Sequence, residues 1–121
     1  MKHFNIIHRK AKSLKKEQDD GYIEYKWKLV NITKKKISKI ITQMNYRLRE
    51  GNGKSIYAIG FKDNGTSLGI TYNELEKTIL NIVYAIDKIN ADIYKLIIFI
   101  DNNSYCAKIF ITKELKDKDF F

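Results

Sequence analysis

Between Tyr22 and Lys113 the apolar residues switch twice from a spacing of two to a helical spacing and back. Few folds accommodate that order. Tyr22–Val30 alternates, with Ile23, Tyr25, Trp27 and Leu29 on one side and Glu24, Lys26 and Lys28 on the other, which predicts a strand with one buried face. Thr33 is placed to cap a helix running to about Glu50 and closed by Gly51, with Ile37, Ile40, Ile41, Met44 and Leu48 as its core stripe. Ser55–Asp63 reads as a second strand, Asn64-Gly65 as a hairpin turn, and Thr66–Ile70 as a short return strand. Thr71 and Glu74 form a capping box ahead of a second stripe, Leu75, Ile79, Ile82, Ile86 and Ile89, which Asn90 can close. Ile93–Ile100 is apolar almost throughout, as a buried strand is, and Asp101–Ser104 turns the chain into a last strand, Tyr105–Lys113. This order predicts an α+β two-layer sandwich with the ferredoxin-like split βαβ succession, β-α-β-β-α-β plus a C-terminal strand. Two helices would cover one face of a mainly antiparallel sheet.

The 121 residues suffice for one core, assigned to residues 21–121. No apolar run approaches the roughly 18 residues of a membrane span. A single cysteine, Cys106, excludes a disulfide framework and a multi-cysteine metal site, and points to a reducing, cytoplasmic setting. Residues 1–20 are polar and basic, with weak apolar spacing at Phe4, Ile7, Ala11 and Leu14 and no signal-peptide apolar region, and are expected to form a flexible basic arm.

The net charge of +9 is unevenly placed. Residues 26–54 carry nine basic groups against Glu50 alone, whereas residues 55–121 carry eight basic and nine acidic groups. A Lys- and Ile-rich, proline-free composition also fits a coding bias, but bias does not concentrate charge in one half. The asymmetry is the footprint of an anionic partner.

Gly51-Asn52-Gly53-Lys54-Ser55 resembles the end of a phosphate-binding loop, but Leu48 stands where that motif requires its first glycine. The glycines would also follow a helix and enter a strand, so a phosphate would meet the negative helix end. His3 and His8 lie in the expected arm, and Cys106 has no histidine near it in sequence, so no catalytic constellation emerges. On the outer face of the first helix, Lys35, Lys39, Thr42, Tyr46 and Arg49 project away from the core stripe. An aromatic among cations combines phosphate neutralisation with base stacking, so Lys35, Lys39, Tyr46 and Arg49 are candidate RNA-binding residues. A solvated lysine face, or one that meets an acidic protein, fits the same residues.

The segments IEYKWKLVN (23–31), TQMNYRLREGNG (42–53), IYAIGFKDNGTSLGIT (56–71) and NELEKTI (73–79) resemble the region preceding the GTPase domain in the GTP-binding protein 1 and 2 family, relatives of the elongation factor that delivers aminoacyl-tRNA. The likeness covers about residues 21–121; Tyr46 stands where the family pattern has Trp, and Asn45 where it has Lys. The resemblance implies a non-catalytic N-terminal domain of a longer GTPase, ending at residues 118–121 about where the GTPase domain begins. GTP and Mg²⁺ would belong to that missing domain, with no cofactor, metal, nucleotide or catalytic residue in this chain. The implied partners are RNA or the ribosome, together with the parent's own GTPase domain and no membrane. The alternative is a protein-interaction or intramolecular docking module.

Overall fold

The computed structural model describes residues 3–120; Met1, Lys2 and Phe121, which belong to the expected arm and to the expected end of the domain, lie outside the described residues. Its elements are β1 (His3–Ile7), β2 (Ile23–Lys26), α1 (Lys34–Glu50), β3 (Lys54–Ile59), α2 (Tyr72–Lys88), β4 (Asp92–Asp101) and β5 (Ser104–Thr112), followed by a short 3₁₀ turn at Asp117–Phe120. The strands form one mixed sheet in the order β1-β4-β5-β3-β2. β1 pairs with β4 and β2 with β3 in parallel, while β5 lies antiparallel between β3 and β4. Four strands therefore share one direction and the central one opposes them.

Both helices start where their caps sit. Lys36 N donates to Thr33 Oγ1, and Thr71 and Glu74 form a reciprocal capping box. Their stripes (Ile40, Met44 and Leu48 from α1; Leu75, Ile82 and Ile86 from α2) pack on Tyr57 and Ile59 of β3 and on Ile109 and Ile111 of β5. This is the expected α+β arrangement of two helices on a sheet, in an order consistent with a ferredoxin-like fold. At the β4–β5 turn both Asn102 (φ 48°) and Asn103 (φ 64°) are left-handed, the geometry that a two-residue hairpin turn demands.

Four details differ from the sequence-based expectation. First, residues 3–20 are not a free arm. β1 extends the sheet, and Ala11 and Leu14 lie on its second face against Tyr25, Ala58, Phe61, Phe99 and Cys106. Leu14 N donates to Gly65 O (2.8 Å), Glu17 N to Asp63 O (2.8 Å) and Tyr25 Oη to Lys15 O (2.7 Å). The approach is so close that a Cβ on Gly65 would stand 1.8 Å from Leu14 O.

Second, the hairpin turn forms but its return strand does not; only single bridges, Phe61–Ser67 and Ile70–Tyr105, remain. The preceding strand also stops at Ile59, because Gly60 takes φ 88° with Cys106 Sγ only 2.8 Å from where a Cβ would be. Third, two of the four strand pairings are parallel, so the sheet is evenly mixed. Fourth, β2 ends at Lys26, because Leu29 bonds to α2 instead: its N–H donates to Thr78 Oγ1 (2.9 Å) and its carbonyl accepts from Asn81 Nδ2 (2.7 Å).

Tyr25 is buried as expected, but two neighbouring residues reverse their expected burial. Glu24 faces the helices and is 6% exposed, whereas Trp27, expected in the core, is 45% exposed. Arg47 explains the first reversal. From α1 it donates Nε–H to Glu24 Oε1 (2.9 Å), Nη1–H to the carbonyls of Asp20 (2.8 Å) and Gly21 (3.0 Å), and Nη2–H to that of Gln18 (2.9 Å). A buried carboxylate is tolerable only when it is paired in this way.

Candidate nucleic-acid interface

The helical repeat places Lys35, Lys39, Tyr46 and Arg49 along one stripe of α1. Lys35, Lys39 and Arg49 are exposed, but the structure gives the four residues different surroundings. Tyr46 is 36% exposed, and its hydroxyl donates to Asp19 O (3.0 Å), which fastens the ring beside Arg47 on the 17–21 segment. Burial, then Glu50, raises the Tyr46 pKa. Arg49 sits at the far end of the helix in a small cleft with Lys113, Lys118 and Asp119.

Lys39 opens instead onto a groove of about 530 Å³ between α1 and residues 26–32, shared with Lys26, Trp27, Lys28, Lys36 and Gln43. Lys26 pairs with Glu24 at 3.4 Å and Lys28 with Glu74, whose pKa is lowered chiefly by that bond. Among the described ion pairs none engages Lys36 or Lys39. Trp27 donates Nε1–H to Gly69 O (3.1 Å) and holds Lys28 Nζ 4.2 Å from its ring centre, which leaves an amphipathic ring beside the cations.

The start of α1 adds to the positive field. Its first turn holds Lys34, Lys35 and Lys36 and no acid, although the helix dipole favours acids there. Each such lysine is placed against its own helix, and an incoming phosphate would relieve the repulsion.

The sequence singled out Lys35 and Lys39 through helical spacing but missed Trp27 and Lys36. Alternation put Trp27 in the core; the Lys26-Trp27-Lys28 triplet, an aromatic between two cations, was the one signal that could have found it. Residues 51–55 do not fit a nucleotide phosphate. Gly51 N, Asn52 N and Gly53 N donate to the carbonyls of Arg47, Arg49 and Leu48, which leaves those amides spent on the helix end. Cys106 is buried with its thiol against Gly60 O (3.6 Å), and burial pushes its pKa up to about 11. It is therefore a poor nucleophile. Among the described residues no group of three or more His, Cys, Asp or Glu could hold a metal, and no helix is long and apolar enough to cross a membrane.

No protein-family model and no solved structure matches the chain. It is 40% identical over 77 residues, 64% of its length, to GTP-binding protein 2 of Mus musculus and of Homo sapiens, and spans 13% of those proteins. An uncharacterized protein, R625, of Acanthamoeba polyphaga mimivirus is 32% identical over 107 residues, 87% of this chain and 58% of that protein. GTP-binding protein 1 of Xenopus laevis is 24% identical over 107 residues, 88% of this chain and 16% of that protein.

Proposed function

From a chain homologous to one stretch of GTP-binding protein 2 and GTP-binding protein 1, and consistent with a domain of that family, we propose a non-catalytic accessory domain of a GTP-binding, elongation-factor-like protein that presents a basic face to RNA, free or within the ribosome. GTP and Mg²⁺ would be held by another domain of the parent protein. The observation that carries the reading is the groove in which Lys36 and Lys39, free of any described ion pair, lie beside the exposed ring of Trp27. Cations neutralise phosphates and an aromatic takes a base, which is how unpaired RNA is held.

Fluorescence anisotropy of a labelled RNA hairpin, titrated across salt concentrations, tests it. Lys36→Glu with Lys39→Glu should weaken binding at least about tenfold and make the salt slope shallower by roughly two units. Trp27→Ala should weaken it with the slope unchanged. Parental affinity in the charge-reversed protein would refute the reading. The exposure of Phe4 and Ile6 on β1 and of Leu80 and Val83 on α2 favours a second reading, docking onto the parent's GTPase domain or another protein. Docking through those apolar residues would depend little on salt.

A further inference from the structure

The second face of the sheet is covered at one end only. The 8–17 segment lies over Ala58, Phe61, Phe99 and Cys106, while toward Lys54 the same face opens into a cleft of about 340 Å³ lined by Tyr22, Lys54, Ile56, Tyr94 and Phe110. Strand register sets the residues of this open half in rows. Ile23, Ile56, Phe110 and Lys95 face one another across β2, β3, β5 and β4, and Lys108 stands in the next row between Ala58 and Ile97. The bulge between Ile93 and Lys95 brings Tyr94 onto the same side, where its ring meets that of Phe110 edge-on with centres 5.9 Å apart.

The charge in these two rows is basic, and the acid nearest by register, Asp92, stands across Thr112 from Lys54 at the end of the sheet. Lys54 Nζ lies 5.7 Å from the centre of the Tyr94 ring, and Lys95 Nζ lies 5.2 Å from that of Phe110. Lys108 lies 5.8 Å from the centre of Phe99, a ring that Arg9 also approaches. Among the described ion pairs none involves Lys54, Lys95 or Lys108, and β3 and β5 contain no acidic residue. Burial and the nearby Arg9 lower the pKa of Lys108, as expected for a cation lacking a counter-charge. A partly open aromatic pair edged by unpaired lysines on a rigid sheet suits a chain that offers both flat bases and phosphates. A duplex, whose bases are already stacked and paired, offers only the phosphates.

We propose that this open half of the sheet is a binding surface for single-stranded RNA, separate from the α1 groove, on which Tyr94 and Phe110 stack unpaired bases while Lys54, Lys95 and Lys108 neutralise the backbone. The inference rests on the reading of the chain as an RNA-facing domain but uses none of the groove residues.

The test uses the full chain and two probes, a fluorescein-labelled uridine 10-mer and a labelled RNA duplex of the same length. Tyr94→Ala should weaken the uridine oligomer by about five- to 150-fold, the range for loss of one stacked base, with the salt slope unchanged and duplex binding intact. Lys54→Glu with Lys95→Glu should weaken the oligomer and reduce its salt slope by roughly two units. Should Tyr94→Ala fail to fold, Tyr94→Phe, which keeps the ring, and the lysine pair decide: oligomer binding retained by the first and lost by the second supports the surface. Folded sheet variants that bind the oligomer as the parent does would overturn the proposal. So would polyglutamate competing as well as the oligomer while Tyr94→Ala is silent, since the face would then take an acidic protein segment. Lys36→Glu with Lys39→Glu separates the two readings: if it is silent on both probes while the sheet variants are not, the groove falls and the sheet surface stands.

Discussion

Replacing Arg47 by Met keeps most of the side chain's volume and removes all of its donors. Arg47 is 4% exposed, and its Nε–H makes the short hydrogen bond to the Glu24 carboxylate, at 2.9 Å. Its loss would leave that carboxylate, 6% exposed, with only Lys26 at 3.4 Å. Breaking a buried pair from one side costs about 3–5 kcal/mol. The remaining Lys26 contact, and the exposure of residues 18–20, whose carbonyls can turn to water, place the expected loss near the lower bound, about 3 kcal/mol. For a domain of this size that is roughly 10–15 °C in Tm, measurable by calorimetry. Adding Glu24→Gln should recover a good part of the loss, because no charge is then stranded. Amides of residues 17–21 should exchange faster in the single variant. A Tm within about 3 °C of the parent would show that Arg47 does not hold this segment.

Deleting residues 1–20 should lower the Tm by more than about 10 °C, since β1 and the Ala11–Leu14 cover go with them; an unchanged melt would mean that the arm is free after all. Thr71→Ala should cost about 1 kcal/mol in denaturant unfolding through the lost capping box. Lys35→Glu should move two quantities in opposite directions, stabilising α1 by about 0.3–1 kcal/mol through the dipole while weakening RNA; a fall in both would refute the electrostatic account. Burial raises the pKa of Glu17, so its ionisation works against the fold: its contribution is full below the ordinary carboxylate range and is lost as pH rises through the raised value. The advantage of Glu17→Gln over the parent should therefore grow in melts from pH 4 to pH 7, and an advantage that grows as the pH falls would contradict the assignment.

What could be read from the sequence is what local chemistry determines. Thr33 and Thr71 mark helix starts because a cap acts within three residues, and the α1 and α2 stripes follow from helical spacing alone. β1 could not be read, because its partner is remote (His3 pairs with Lys95) and His3–Ile7 leaves four of its five side chains exposed. The burial of Glu24 in β2 is not legible for a related reason. Tyr25 has its own core on the second face, beneath Ala11, and Glu24 has Arg47, 23 residues away, so both sides of the strand are buried and alternation carries no direction. In the candidate interface, exposure of Lys35 and Lys39 follows from periodicity, whereas that of Trp27 depends on Leu29 leaving the sheet for α2.

The reversed central strand constrains the order of events during synthesis. β5 is the last strand made, and it alone joins the β2–β3 pair to the β1–β4 pair. Until residues 104–112 leave the ribosome, the chain holds two strand pairs with no ladder between them, each exposing a raw edge where β5 will insert. The core beneath α1 and α2 includes Ile109 and Ile111, so it cannot close piecemeal either. Folding of this domain should thus be abrupt and late, with nascent chains truncated before residue 104 remaining protease-sensitive and chaperone-bound.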